Sequence, residues 1–253
     1  MDFEEFLWAL GDDMLMPYMR MQFSKLMPMG AFHRRAMDCF RQYLIVGGMP
    51  QAVLKYMETK DFERVDETKR DILALYRNDI RKYADNQETK AAAIFEEIPG
   101  QLQKHEKKFV LSALKSEALI SHAFDERGIV GADLYRKLMF DKLEVNEGML
   151  VENIVAQMLR AAGHKLYFFS NSSRTSAEDR MEIDFLISKP VITSRHNISP
   201  IEVKSGQRYT LNSLKKCIAK YGHCLSTPYV LHDKDLKVEN GIVYLPLYMT
   251  PLL

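Results

Sequence analysis

Apolar positions recur at helical spacing through the first half of the chain and at strand spacing through its last third. In "AFHRRAMDCFRQYLI" they keep a 3.6-residue period until Gly47 and Gly48, where glycine ends a helix at little cost. Pro50 predicts the start of the next helix, because a proline at the first helical position gives up an amide that has no intrahelical partner anyway. The stretch "PQAVLKYMETKDFERVDETKRDILALYRNDIRKYA" predicts a short helix, a break near Asp61, and a longer amphipathic helix. The apolar stripe of that longer helix includes Ile72, Leu75, Tyr76, Ile80 and Tyr83. "ETKAAAIFEEIPGQLQKHEKKFVLSALKS" predicts two short helices divided at Pro99 and Gly100, then a basic turn and a strand.

From Glu147 the pattern changes. "EGMLVENIVAQMLRAAG" predicts a helix with Leu150, Ile154, Val155, Met158 and Leu159 inward and Gly163 at its C-terminal cap. "HKLYFFS", "MEIDFLIS", "SPIEVKS", "PYVLH" and "GIVYLPL" are short, rich in β-branched and aromatic residues, and bounded by turn formers, which predicts five strands. A helix over "TLNSLKKCIAKYG", capped by Thr210 or Asn212, falls between the third and fourth. The expected order α-β-β-β-α-β, with one further strand, implies a mixed sheet flanked by helices. The fold class expected for the whole chain is α/β, α+β overall.

Three ionisable residues interrupt these strands. Side chains alternate faces along a strand, so Glu202 and Lys204 share one face of the sheet while Ile201 and Val203 share the other. Asp184 occupies the preceding strand, and antiparallel pairing of the two strands would bring both carboxylates together. Carboxylates held close repel one another unless a hard cation such as Mg²⁺ or Mn²⁺ lies between them. Such an ion supplies the chemistry of phosphodiester hydrolysis, and a neighbouring ammonium, Lys204, orients water or offsets charge on the phosphate. Glu152, on the helix leading into the sheet, either adds a ligand or base or pairs at an exposed stripe. An ion-pair ladder on an edge strand is the structural alternative for Asp184, Glu202 and Lys204.

Composition narrows the partners. A net charge of +1 with 27% charged residues gives no global field for a polyanion, so any nucleic-acid surface must be a local patch. Arg208, Lys215, Lys216 and Lys220 follow the acidic strands and form one candidate patch. Lys104, His105, Lys107 and Lys108 read first as a solvated helix end, and His33, Arg34 and Arg35 as an exposed helix face, with phosphate contact the alternative for each. Three cysteines without CxxC spacing argue against a disulfide framework or a zinc knuckle. No apolar run approaches the roughly 20 residues of a membrane span, and the opening "MDFEEFLWALGDDM" is acidic where a secretory signal is basic, so a cytoplasmic location without membrane contact is expected. The methionine-rich "MLMPYMRMQFSKLMPMG" is expected to fill a core or to face an ATPase domain or a second copy of the chain.

The residues around Glu152, "EIDFLI" with Asp184 and "IEVKSG" with Glu202 and Lys204 resemble the PD-(D/E)XK, or restriction-endonuclease-like, nucleases. "MDFEEFLWALG", "YLIVGGMPQAV", "RDILALYRNDIRKYA", "IFEEIPGQLQKHEKKF" and "GMLVENIVAQML" are similar, in order, to an uncharacterised family of prokaryotic AAA-type ATPases. That resemblance implies a P-loop ATPase domain, a winged-helix-like middle and a nuclease-like C-terminal domain.

Two departures qualify it. No G-x-x-x-x-G-K-[ST] occurs, so ATP binding and hydrolysis are not expected of this chain. After the lysine-rich turn, Lys115 and Ser116 run almost directly into "EALISHAFD", so the winged helix is expected to be incomplete. The organisation expected is a tail of an ATPase domain over 1–30, a helical, winged-helix-like region over 31–116 and a nuclease-like domain over 117–253. The expected activity is metal-dependent cleavage of nucleic acid, DNA first, with Asp184 and Glu202 binding Mg²⁺ or Mn²⁺. The alternative is a non-catalytic nucleic-acid-binding or interaction module.

Overall fold

A computed structural model describes residues 1–83, 88–102, 147–171, 179–188, 198–204 and 209–253. Helices and one six-stranded mixed sheet give an α+β protein. The helices are α1 (Phe3–Ala9), α2 (Leu15–Lys25), α3 (Phe32–Val46), α4 (Pro50–Thr59), α5 (Phe62–Tyr83), α6 (Glu88–Leu102), α7 (Glu147–Ala161) and α8 (Asn212–Tyr221). The strands are β1 (Tyr167–Asn171), β2 (Met181–Ser188), β3 (Ile198–Val203), β4 (Tyr229–His232), β5 (Lys237–Glu239) and β6 (Ile242–Pro246).

The chain forms two compact units, one of Met1 with Arg41–Met149 and one of Asp2–Phe40 with Leu150–Leu253. In the first unit α5 packs against both α4 and α6. Lys60, with φ of 53°, ends α4, and the Asp61 carboxylate accepts from the Glu63 amide at 2.8 Å, so the expected break is built from a left-handed residue and a local cap. Lys69 donates to the Ile45 carbonyl at 2.8 Å, supplying a partner for an end-of-helix carbonyl of α3. Helix α6 continues through Pro99 and Gly100, which corrects the expected division there. A proline removes one ladder hydrogen bond but its φ is already helical, so turns on both sides can carry it. The basic turn, the strand and the shortened wing expected beyond it lie outside the described residues.

In the second unit the sheet order is β1-β2-β3-β4-β6-β5. β1, β2 and β3 pair antiparallel, β3, β4 and β6 pair parallel, and β5 closes the far edge as an antiparallel hairpin with β6. α8 provides the crossover between parallel β3 and β4. It buries Leu214 and Cys217 against Met181, Ile183, Val230, Ile242 and Tyr244. Neither Thr210 nor Asn212 caps α8. Leu211 holds that position without a side-chain hydrogen bond, and its burial in the same core anchors the helix start.

The N-terminal segment joins this unit through specific contacts. Phe3, Phe6, Leu7, Met16, Met19 and Met29 are buried, whereas Met14, Met21 and Met27 remain exposed, so the methionine-rich stretch contributes to a core and to a surface. The Asp235 carboxylate accepts from the amides of Met29 and Gly30, each at 2.8 Å, just before α3 begins. His33 lies 2.9 Å from the Tyr248 hydroxyl and 3.2 Å from the Asp233 carbonyl. Among the described residues all three cysteines are free.

Candidate functional site

Glu202 sits in the middle of a covered sheet. β3 is flanked by β2 and β4, and from Ser199 to Val203 every residue is buried. In register Glu202 faces Val230 of β4, and Val230 packs with Leu214 and Cys217 of α8. The Glu202 carboxylate therefore lies on the α8 side of the sheet, and burial followed by the charge of Glu202 pushes the Cys217 thiol up.

A carboxylate 3% exposed must be paired or protonated. Lys204, two residues on and on the same face, places its Nζ 2.5 Å from Glu202 Oε2. Glu202 Oε1 is buried and has no hydrogen-bond partner among the described residues. Burial raises the Glu202 pKa above the usual carboxylate range, Lys204 opposes that shift, and the negative charges of Asp184 and Glu182 add to it.

Asp184 reaches the same place from β2. The backbone ladder between β2 and β3 runs from Ser188 opposite Ile198 to Phe185 opposite Ile201. One step beyond, Asp184 Oδ2 accepts from the Val203 amide at 2.7 Å, so a side chain takes over where the ladder stops. The cause lies on the other edge of β2. Tyr167 faces Leu186 and Phe169 faces Ile183, so a three-residue step on β2 matches a two-residue step on β1. The extra residue falls at Asp184 or Phe185, a bulge that bends the strand and re-aims its side chains.

The other expected residues are distributed as follows. Glu152 is half-buried on α7 and is not among the charges that chiefly shift Glu202. Glu182 also bears on Glu202, adding to the upward shift of its pKa; its place two residues before Asp184 is the signal in the sequence. On α8, Lys220 pairs with Asp179, Lys216 donates to the Arg180 carbonyl at 3.2 Å, and Lys215 is exposed. Arg208, the Lys104–Lys108 cluster and most of the serine-rich loop fall outside the described residues. Arg35 pairs with Asp12 at 2.6 Å, and His33 is half-buried in the N-terminal contact.

Among the described residues no three His, Cys, Asp or Glu side chains group as a metal-binding set. The relevant set is smaller. Mg²⁺ is commonly held by one or two carboxylates and completes its octahedron with water and phosphate oxygens. Two carboxylates on adjacent strands, one with a buried unpartnered oxygen, fit such a hard cation by donor type and charge.

A second buried polar group lies at the carboxyl end of β4. His232 is fully buried, with Nδ1 3.1 Å from the Tyr209 hydroxyl, and burial lowers its pKa to about 4. It is neutral at physiological pH.

Residues 147–249 match the family model described as domain of unknown function DUF4143, and residues 37–123 match that of domain of unknown function DUF8612. The C-terminal segment is thus similar to a domain found in AAA-ATPase-associated proteins. Comparison with curated proteins and with solved structures finds no match. Among the described residues no helix is long and apolar enough to cross a membrane.

Proposed function

We propose that the chain is the nuclease-like portion of an AAA-type ATPase family protein and hydrolyses nucleic-acid phosphodiesters, DNA first, with Mg²⁺ or Mn²⁺. The observation that carries this reading is the buried Glu202 carboxylate, with one oxygen unpartnered and the other held by Lys204, on the strand beside Asp184. A carboxylate is expensive to bury for structural reasons alone. Asp184 and Glu202 would hold the cation, which when bound polarises a phosphoryl oxygen and lowers the pKa of water. Lys204 places a positive charge where the phosphate gathers negative charge, and Glu152 supports the site from α7. Lys215, exposed on α8, offers a cation to a phosphate backbone, and Lys216 and Lys220 would join it by leaving the Arg180 carbonyl and Asp179. The winged-helix-like character of the helical middle belongs to the same proposal and rests on the sequence resemblance.

A second reading is a non-catalytic binding or interaction module. It is favoured by the engagement of Asp184 with the Val203 amide and by the pairing of Glu202 Oε2 with Lys204, which tie both carboxylates to groups of the chain itself.

The test is cleavage of a labelled panel of single- and double-stranded DNA and RNA in Mn²⁺ or Mg²⁺, with Lys204→Ala and Glu202→Gln in parallel. Metal-dependent cleavage lost in both variants supports the nuclease. Nucleic-acid binding that is indifferent to chelator and to both substitutions, without cleavage, supports the binding module.

A further inference from the structure

The Glu202–Lys204 pair has an asymmetry that bears on how a cation enters. The lysine side chain is 22% exposed and the glutamate 4%, so the ammonium is the solvent-facing partner and the carboxylate the floor. The ammonium already occupies one oxygen of the carboxylate that a cation would need, at 2.5 Å. The remaining oxygen, Oε1, is buried with no hydrogen-bond partner among the described residues. A lysine is a compact charge on a flexible four-carbon stem, so it can leave such a position at the cost of one ion pair while the strand backbone stays fixed.

Resting on the metal-site reading above, we infer that Lys204 is a tethered stand-in for the metal ion. It neutralises Glu202 while the site is empty of divalent cation, competes with that cation for Glu202, and is released toward the substrate side when the cation loads. Binding and activation are then coupled: the same event that installs the metal frees the ammonium for phosphate. The device also accounts for a buried carboxylate in a sheet that holds together without metal, because Lys204 meets the charge until an ion arrives.

The experiment is a calorimetric Mn²⁺ titration at mildly alkaline pH of the wild-type chain, Lys204→Met and Glu202→Gln. It is paired with acylation of Lys204 in the wild type, with and without Mn²⁺, read by peptide mass spectrometry. Lys204→Met is expected to tighten Mn²⁺ binding by roughly tenfold, the factor equivalent to about 1.4 kcal/mol for an ion pair that no longer has to be broken. Glu202→Gln is expected to abolish binding, and acylation of Lys204 to rise when Mn²⁺ is present.

Equal or weaker binding by Lys204→Met, or acylation unchanged by Mn²⁺, overturns the competition and leaves the metal site standing. No Mn²⁺ binding by wild type or by Lys204→Met overturns both the competition and the metal site. Should Lys204→Met fail to fold, the acylation measurement on the wild type decides alone.

Discussion

Asp184 Oδ2 accepts a hydrogen bond from the Val203 amide at 2.7 Å, one step past the point where the backbone ladder between their strands stops. The carboxylate is therefore a structural acceptor as well as a proposed ligand, and the two roles separate by substitution. Asp184→Ala leaves a buried amide without an acceptor and is expected to cost about 1–3 kcal/mol. Asp184→Asn keeps an acceptor oxygen and is expected to cost less, yet to weaken Mn²⁺ binding as severely as the alanine does. Urea unfolding alongside Mn²⁺ titration of both variants checks this; equal stability losses would show that the amide contact contributes little.

His232 makes stability depend on pH in a defined window. Its folded pKa of about 4 lies below the ordinary 6.5, so the unfolded chain binds the proton more readily. Its contribution is fully present above pH 6.5 and is lost as the pH falls through 6.5 toward 4. The total is of the order of 3 kcal/mol at 1.36 kcal/mol per pKa unit. His232→Gln is expected to flatten the stability profile between those limits by that amount. Urea midpoints of both proteins across the range provide the measurement, and parallel profiles would contradict it.

Asp235 ties the N-terminal segment into the second unit by accepting from Met29, Gly30 and Leu236 amides. Asp235→Ala leaves the amide of buried Met29 without its acceptor, while the exposed Gly30 amide turns to water, and a loss of about 1–3 kcal/mol is expected. Hydrogen exchange gives the local signature. The Met29 and Gly30 amides should exchange much faster in the variant, with the α8 core amides less affected.

Asn240 and Gly241 turn the chain from β5 to β6 with φ of 51° and 75°. Gly241→Ala forces a Cβ into a left-handed conformation, and a cost of roughly 1 kcal/mol is expected. Nothing lies within 4 Å of where that Cβ would go, so the cost is conformational and steric relief nearby should not reduce it. Thermal unfolding of the variant, compared with Asn240→Gly as a permissive control, tests the assignment.

Where side-chain pattern and backbone geometry point the same way, the chain is readable. "MEIDFLIS" spans β2 residue for residue, and Gly47, with φ of 77°, follows α3 directly. β5 is harder, because three exposed residues carry no alternation; the Asn-Gly of "VENGIV" was the usable signal, as that dipeptide favours a tight hairpin. The residues around the site were visible as types, and E-x-K spacing alone puts Glu202 and Lys204 on one face. The bulge that re-aims β2 at Asp184 was not visible, because it exists only in the register between β1 and β2. Nor could local pattern show that residues 2–40 belong with 150–253, since the Met29–Asp235 bond spans 206 residues.

That discontinuity has a consequence for how the molecule is made. A ribosome delivers residues 2–40 long before residues 150–253, so Met29, Gly30 and His33 must wait for Asp235, Asp233 and Tyr248 through the synthesis of everything between. The nascent chain is at its most vulnerable before its last strands emerge.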